Sequence, residues 1–241
     1  METVSQEMVA SSYEPATYWL ERHSQLKGDI RSVGNRGVSV EENEKGYVNR
    51  ASVLSKLLTE GLAVADQSAL IEFGCGIGMQ APVVVEAGLR YTGVDISPDA
   101  LAAARLRCPE GKFIEADVRT YRPDYRFDLA LAGYVLCHMV ADSDWSALLS
   151  SLAASVRAGG HVVIEERIPA DEPIRHGDYV LARPFQDYAK AFHRLGLSMV
   201  DGLCSTTLLV AVKSSFGPPA AILPSAAPAS SDGAPLPTTL F

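Results

Sequence analysis

The sequence predicts an α/β protein with a seven-stranded, mostly parallel sheet, helices on both faces and an antiparallel hairpin at its C-terminal end. Short apolar runs alternate with helical stretches over residues 67–213, a pattern typical of parallel sheets. A turn with three glycines, Gly74, Gly76 and Gly78, directly follows the first run. The last two runs lie too close together for a crossover helix, which favours an antiparallel pair.

The first five predicted strands are SALIEF (68–73), YTGVDI (91–96), KFIEAD (112–117), FDLALAGY (127–134) and GHVVIEE (160–166). Ser97, Pro98 and Asp99 follow the second run and are typical of a helix start, with a cap, an early proline and an acid. The runs LSMVDGL (197–203) and STTLLVAV (205–212) form the predicted hairpin.

Residues 1–66 precede the sheet as a separate, largely helical segment. ATYWLERHSQL (16–26) predicts one helix, GDIRSVGNRGVS (28–39) a loop, and residues 40–62 a second helix. Helical spacing predicts a buried stripe on the second helix, formed by Val48, Ala51, Leu54, Leu57 and Leu58.

Residues 214–241 form a tail that holds six of the 14 prolines together with many alanines and serines. Such a composition does not support a helix or a central strand. We expect a disordered or loosely draped extension.

Composition and charge exclude several classes of protein. The formal net charge of −8 and scattered basic residues disfavour a nucleic-acid partner, since phosphate binding needs clustered Lys and Arg. The sequence contains no apolar run of about 18 residues, so no membrane span is predicted. The N-terminus lacks the apolar core of a secretory signal. The four cysteines show no CxxC spacing, so we expect reduced thiols, no metal site and a cytoplasmic location.

The glycine turn differs from the dinucleotide pattern GxGxxG. Its spacing is GxGxG, and Met79 stands where the third dinucleotide glycine is expected. Glu72 at the mouth of the turn would repel a pyrophosphate. Met79 and Glu72 therefore both argue against a dinucleotide, and S-adenosylmethionine removes both objections. It has a sulfonium, an ammonium and no phosphates, and Glu72 supplies negative charge to its ammonium.

The ordered motifs resemble those of class I S-adenosylmethionine-dependent methyltransferases, which have a Rossmann-like fold. EFGCGIG resembles their first motif, YTGVDIS their second strand, EADV their adenine-binding segment, FDLALAGYVLCHM their fourth strand and loop, and RAGGHVVIEE their fifth strand. The resemblance covers roughly residues 67–213 and makes S-adenosylmethionine the expected cofactor.

The resemblance implies roles for individual residues in donor binding. Asp95 binds the ribose hydroxyls, Asp117 lies near the exocyclic amine of adenine, and Ile96 and Val118 lie on either face of the ring. The glycine turn, with Gly74 and Gly76, approaches the amino-acid end of the donor, and Glu72 supplies negative charge to its ammonium. The predicted cofactor-binding set also includes Cys75 and Gly133. Cys75 is interpreted as a small neutral spacer rather than a nucleophile.

The N-terminal segment resembles the helical lids of small-molecule methyltransferases. Trp19 and Arg22 share one helix face, as do Tyr47 and Arg50. The resemblance implies that Trp19 and Tyr47 shield the donor and that Arg22 or Arg50 meets its carboxylate. Surface arginines with core aromatic residues are the alternative interpretation.

His138 is the candidate general base, and Tyr134 is expected to line the acceptor pocket. A packing or capping role for His138 is the alternative. Further candidate acceptor contacts are Glu165, Glu166, Tyr179, Arg183 and His193. Asp142 and Asp144 suggest magnesium, but no third ligand is evident, so a solvated loop is favoured.

The sequence predicts methyl transfer to O, N or C of a small organic molecule, and we expect this molecule to be a secondary metabolite. The fourth strand ends in AGYV and lacks the (D/N)PP(Y/F) motif of base-modifying enzymes. A homodimer is compatible with the sequence. Two alternatives stay open: a non-catalytic S-adenosylmethionine-binding scaffold of the same fold, and an NAD-dependent oxidoreductase.

Overall fold

The computed structural model describes residues 13–62 and 64–215. Seven strands of this part of the chain form one sheet. They are β1 (Ala69–Phe73), β2 (Arg90–Asp95), β3 (Lys112–Glu115), β4 (Phe127–Gly133), β5 (Val156–Glu165), β8 (Leu197–Met199) and β9 (Leu208–Lys213). Their order across the sheet is β3-β2-β1-β4-β5-β9-β8. All seven predicted strands are present.

The first five strands of the sheet are parallel. β1 pairs in parallel with β2 on one side and with β4 on the other. β9 is antiparallel to both β5 and β8, so the predicted C-terminal hairpin forms at the sheet edge. The predicted fold class is therefore confirmed.

Helices cover both faces of the sheet. They are α3 (Ala81–Glu86), α4 (Pro98–Arg107), α5 (Asp142–Ser155) and α6 (Phe185–Arg194). Ile71 and Phe73 of β1 pack in the core on the side of α5 and α6. Leu70 points to the opposite core, which includes Leu101 of α4. Because both faces are covered, β1 is buried along its whole length.

The N-terminal segment contains α1 (Pro15–Leu26), a 3-10 turn (Ile30–Ser32), α2 (Val40–Lys56) and a π turn (Leu57–Gly61). Ser39 and Glu42 form a capping box that begins α2. This segment, residues 13–62, is called the lid segment below.

The predicted stripe on α2 is wrong at Val48, which is 67% exposed. Leu54, Leu57 and Leu58 are buried as predicted, and Ala51 is half-buried. The inward face of the first turns instead carries Asn43 and Tyr47. Polar side chains on this face contact the loop before α2, so hydrophobic spacing alone assigned the wrong side of the helix there.

A small hairpin between β5 and α6 was not predicted. It consists of β6 (Ile174–His176) and β7 (Val180–Ala182), which pair with each other and not with the main sheet. The chain segment interpreted from sequence as an acceptor-binding insertion therefore begins with this hairpin and continues into α6.

One sequence prediction falls largely outside the described residues. The tail prediction concerns residues 214–241, and the structure describes only Ser214 and Ser215 of these. The three-segment division of the chain stays a prediction. Within the described residues, no helix is both long enough and apolar enough to cross a membrane.

An alanine at Gly78 should destabilise the fold more than an alanine at Gly202. Both have left-handed φ angles, +72° and +77°, and an alanine there costs roughly 1–2 kcal/mol. A Cβ at Gly78 would also lie 2.9 Å from the Ala104 Cβ of α4, while a Cβ at Gly202 would meet no atom within 4 Å. Urea denaturation should therefore show that Gly78→Ala loses about 1–3 kcal/mol more unfolding free energy than Gly202→Ala. Equal losses would contradict the tight packing of the turn against α4.

Candidate active site

A cavity of about 820 Å³ opens at the carboxyl ends of β1, β2 and β4. The strand order reverses between β1 and β4, and ligands of open α/β sheets bind at such a switch point. The glycine turn forms one wall, and α1 and α2 of the lid segment supply Trp19 and Tyr47 from the opposite side.

The glycine turn is closely packed on its outer sides. A Cβ at Gly74 would lie 2.5 Å from Val135, which follows β4, and a Cβ at Gly76 would lie 2.5 Å from Val33 of the lid segment. Both glycines have positive φ angles, which side chains disfavour. The turn therefore presents bare backbone to the cavity.

Asp95 ends β2 and is held in place by the backbone on both sides. Its Oδ2 accepts a hydrogen bond from the Gly76 N–H at 2.8 Å, and its Oδ1 accepts one from the Ser97 N–H at 2.9 Å. The side chain is 7% exposed and lines the cavity beside Ile96. Each carboxylate oxygen keeps a second lone pair for a ligand.

Glu72 lies at the base of the cavity as a buried acid. The Tyr91 hydroxyl donates a hydrogen bond to its Oε2. Burial raises the pKa of Glu72 to about 8, although Tyr91 and the Arg50 guanidinium act in the opposite direction. The carboxyl group is therefore mainly protonated at neutral pH while the cavity holds no cation.

Cys75 lies inside the glycine turn and is buried. Burial, together with the charges of Asp95 and Glu72, raises the pKa of its thiol well above the usual value. Such a thiol is a poor nucleophile, which supports the interpretation of Cys75 as a neutral spacer.

Arg50 joins the lid segment to the sheet. Its Nε donates to Glu165 Oε1 at 2.9 Å and its Nη2 to Glu165 Oε2 at 3.2 Å. The guanidinium lies 4.7 Å from the ring centre of Tyr47 and 4.6 Å from that of Tyr134. A Cβ on Gly133 would come within 2.6 Å of Arg50 Nη2, so the arginine lies directly on the end of β4.

Arg22, the other lid arginine, lies elsewhere. Its guanidinium donates to the Tyr18 hydroxyl at 3.1 Å, to the Arg31 carbonyl at 2.8 Å and to the Gly34 carbonyl. It lines a second cavity of about 570 Å³ and not the first. Of the two arginines proposed from sequence for the donor carboxylate, the structure thus places Arg50 at the main cavity.

His138 ends a 3-10 turn (Leu136–His138) and lines both cavities. Its Nδ1 lies 2.9 Å from the Tyr179 carbonyl oxygen. Because a carbonyl only accepts, Nδ1 carries the hydrogen and the neutral ring keeps its lone pair on Nε2. Burial lowers the pKa of His138 to about 4. The edge of the Trp19 ring packs against it at 4.8 Å between ring centres.

Tyr134 also lines both cavities. Its backbone has a φ of +54°, an unusual value for a residue other than glycine. Its N–H donates to the Glu165 carbonyl at 2.7 Å. The loop that carries Tyr134 and His138 is therefore fixed to β5 at its first residue.

Glu166 and Arg183, proposed from sequence as acceptor contacts, hold this loop from behind instead. Glu166 is fully buried and accepts hydrogen bonds from the Cys137 N–H at 2.9 Å and from the Tyr188 hydroxyl. Arg183 donates to the Met139 carbonyl at 2.9 Å. Glu166, Arg183, Glu165 and His193 line neither of the two cavities described here, whereas Tyr179 lines the second one.

Asp117 and Val118, predicted to contact adenine, line the main cavity just beyond the end of β3. Asp117 is paired with Arg119, whose Nη2 lies 2.6 Å from its Oδ2. Arg119 also pairs with Asp144 at 3.1 Å, and Arg183 pairs with Asp142 at 2.7 Å. The two acids considered for magnesium are therefore each bound to an arginine.

Sequence reasoning missed several residues that line the main cavity: Pro15, Ala16, His23, Val33, Met79, Gln80, Arg119, Val135 and Met139. His23 stands one helical turn after Trp19, a spacing that could have identified it. Gln80 is 2% exposed and donates to Glu165 Oε2 at 3.3 Å, while its Oε1 has no partner within the described residues. No sequence signal marked it.

Residues 71–164 match the family model described as a methyltransferase domain. This range begins in β1, includes the glycine turn and Asp95, and ends in β5. Over these residues the chain is similar to methyltransferase domains, in agreement with the class I resemblance of its motifs.

Curated relatives of this region of the chain are trans-aconitate 2-methyltransferases. The protein from Enterobacter sp. (strain 638) is 36% identical over 114 residues, which cover 46% of this chain and 44% of the relative. The protein from Azoarcus sp. (strain BH72) is 32% identical over 110 residues, covering 45% and 42%. The match thus spans less than half the length of these relatives.

Solved structures show the same fold at low sequence identity. Magnesium protoporphyrin IX methyltransferase from Synechocystis, crystallised with bound S-adenosylmethionine, has a TM-score of 0.64 at 18% identity, covering 85% of this chain and 99% of that chain. Streptomyces venezuelae DesVI has a TM-score of 0.58 at 19% identity, covering 70% and 92%.

Glu72 should make the ligand-free protein less stable as the pH rises. Between its ordinary pKa of 4.5 and its folded pKa of about 8, the folded state holds a proton that the unfolded state has released. Unfolding free energy contributed by Glu72 is therefore greatest below pH 4.5 and declines up to about pH 8. Urea titrations across this range should show a flatter profile for Glu72→Gln. The exposed Glu115 at the end of β3 gives the matched control, Glu115→Gln, which should keep the wild-type slope. An unchanged slope in Glu72→Gln would contradict the raised pKa.

Proposed function

We propose that this protein transfers a methyl group from S-adenosylmethionine to a small organic acceptor. The observation that carries the proposal is the fixed carboxylate of Asp95 beside the bare backbone of the glycine turn, at the switch point of the sheet. A vicinal diol matches two carboxylate oxygens that each keep a free lone pair. The family match over residues 71–164 supports the same assignment.

The donor fits the main cavity from β3 to the lid segment. Asp95 receives the ribose, Ile96 and Val118 enclose the adenine, and Asp117 receives its amine while it stays paired with Arg119. The amino-acid end lies against Gly74, Gly76 and Gly133. A cationic ammonium there lowers the pKa of Glu72 by direct attraction, so that the acid becomes its counter-charge.

Arg50 is the proposed partner of the donor carboxylate. It lies on Gly133, within the main cavity, and its charge is balanced by Glu165 while the site holds no donor. Trp19 and Tyr47 cover the donor from the lid segment. Closure of such a lid excludes water and holds the reacting groups in line.

Methyl transfer is an in-line displacement at the sulfonium, and positioning supplies much of its acceleration. The junction of the two cavities carries Tyr134 and His138. His138 has a free lone pair on Nε2, which suits it to accept a proton or a hydrogen bond from the acceptor. The proposed methyl acceptor atom is an O, N or C of the small molecule.

The acceptor proposed here is a small molecule of secondary metabolism, and the protein is proposed to act in the cytoplasm. The named substrate of the curated relatives, trans-aconitate, is one candidate. Incubation with labelled S-adenosylmethionine and panels of small acids, phenols and amines tests the proposal. Donor binding without labelled product in any panel would favour the alternative of a non-catalytic binder.

Removing the Asp95 carboxylate should weaken donor binding by about a hundredfold, because the ribose loses two hydrogen bonds to a charged group. Calorimetric titration with S-adenosylhomocysteine should show this for Asp95→Ala. Asp99, an exposed acid four residues later, gives the control Asp99→Ala, which should bind like the wild type. Unchanged affinity in Asp95→Ala, with its thermal unfolding still cooperative, would contradict the ribose assignment.

Replacing His138 by alanine should lower turnover by roughly a hundredfold and leave S-adenosylhomocysteine affinity nearly unchanged, if the ring accepts the acceptor's proton. The base must be unprotonated, so wild-type turnover should fall only as the pH drops toward its pKa of about 4. Steady-state rates between pH 4 and 9, with an acceptor found in the labelled screen, measure both effects. Equal turnover of wild type and variant at every pH would instead support the packing role.

A further inference from the structure

The second cavity continues from the first across a shared wall. Six residues line both: Trp19, Val33, Tyr47, Arg50, Tyr134 and His138. None of the residues proposed to hold the adenosine, from Asp95 to Val118, lines the second cavity. A donor in the first cavity therefore leaves the second open, with Tyr134 and His138 at the boundary.

Four large aromatic side chains stand in the wall of the second cavity, among glycines and polar residues. Trp19, Tyr47, Tyr134 and Tyr179 come from four different parts of the chain. Tyr179 lies in the turn of the β6–β7 hairpin, stacks on Tyr18 at 5.3 Å between ring centres and lies parallel to His138 at 6.0 Å. Flat aromatic walls favour a flat ligand, because offset and edge contacts between rings are attractive.

Arg22 gives this cavity a positive charge that no described carboxylate balances. The side chain is 5% exposed, and its guanidinium donates hydrogen bonds to the Tyr18 hydroxyl and to two backbone carbonyls. Its buried Nε has no hydrogen-bond partner within residues 13–62 and 64–215. A buried charge without a counter-ion is costly.

Other arginines near the site differ from Arg22 in this respect. Arg50 pairs with Glu165, Arg119 with Asp117, and Arg183 with Asp142. Arg22, whose charge is not balanced, lines the second cavity but not the first. Its bonds to the carbonyls of Arg31 and Gly34 also fix the loop before α2, but a neutral donor would suffice for that role.

We propose that the second cavity binds the methyl acceptor and that this acceptor is a planar aromatic carboxylate, whose charge is balanced by Arg22. This inference rests on the proposed function and adds the class of substrate. The aromatic walls hold the ring, and the guanidinium turns from its lid partners toward the carboxylate. The reacting group then lies at the boundary, beside His138 and the donor's methyl.

Binding of matched probes to the protein saturated with S-adenosylhomocysteine tests the inference. The probes are benzoate with benzamide, cinnamate with cinnamamide, and indole-3-acetate with its amide, each titrated by calorimetry. At least one acid should bind roughly tenfold more tightly than its own amide, since the amide lacks the charge. Trans-aconitate, which is acyclic and carries three carboxylates, should bind more weakly than that acid.

Variants of Arg22 separate recognition from a structural role. Arg22→Met should lose the preference for acid over amide, and Arg22→Lys should keep most of it, because the lysine retains the charge. Arg31→Met removes another lid cation, one that pairs with Asp29 and lines neither cavity, and should keep the full preference. S-adenosylhomocysteine affinity and melting temperature, measured for each variant, report on folding.

The outcomes distinguish this inference from the proposed function. Failure of the wild type to bind S-adenosylhomocysteine would overturn the proposed function itself. Binding of S-adenosylhomocysteine with no acid preferred over its amide in any pair would overturn the acceptor assignment alone. Persistence of the preference in a folded Arg22→Met protein would assign the recognition of the carboxylate to another residue and would also overturn it.

Discussion

The site depends on one short set of hydrogen bonds between two neighbouring strands. The carboxylate of Asp95, at the end of β2, accepts the N–H of Gly76 from the turn after β1 and the N–H of Ser97 before α4. These bonds fix the carboxylate in a buried position and set the path of the turn at the same time. Hydrogen bonds to a charged acceptor are strong. The same two bonds therefore hold both the turn that forms the cavity wall and the carboxylate that gives the cavity its negative charge.

The lid segment adds two arginines that the fold uses differently. Arg50 reaches the end of β4 and pairs with Glu165 of β5, so the lid is tied to the sheet beside the proposed position of the donor's amino acid. Arg22 stays within the lid and faces the second cavity. In the proposed complex, the donor carboxylate and the acceptor carboxylate would pair with separate arginines, Arg50 and Arg22.

Much of the fold was predictable because its signals are local. Each central strand is a short apolar run, and the glycine turn and the Ser97 cap are visible in the sequence. The runs at 197–203 and 205–212 leave no room for a crossover helix between them, which predicted the antiparallel hairpin. The carboxyl ends of parallel strands meet at one edge of the sheet. The residues predicted from these strand ends therefore line one cavity, and they are Gly74, Gly76, Asp95 and Asp117.

Long-range partners were not predictable in the same way. The spacing on α2 assigned Val48 to the core, although Tyr47 and Arg50 face inward because they meet Val33 and Glu165, distant in sequence. Glu166 and Arg183 resembled acceptor contacts but bind the backbone of the loop that carries His138. Gln80 and the charge state of Glu72 depend on burial, which a sequence does not display.

A crystal structure of the protein soaked with S-adenosylhomocysteine tests the central claim most directly. The account predicts that the ribose hydroxyls lie within hydrogen-bond distance of the two Asp95 oxygens and that the homocysteine end lies against the turn at residues 74–76. Density for the ligand at another place, or a ribose held by other groups while the Asp95 carboxylate stays bound only to backbone, would contradict it.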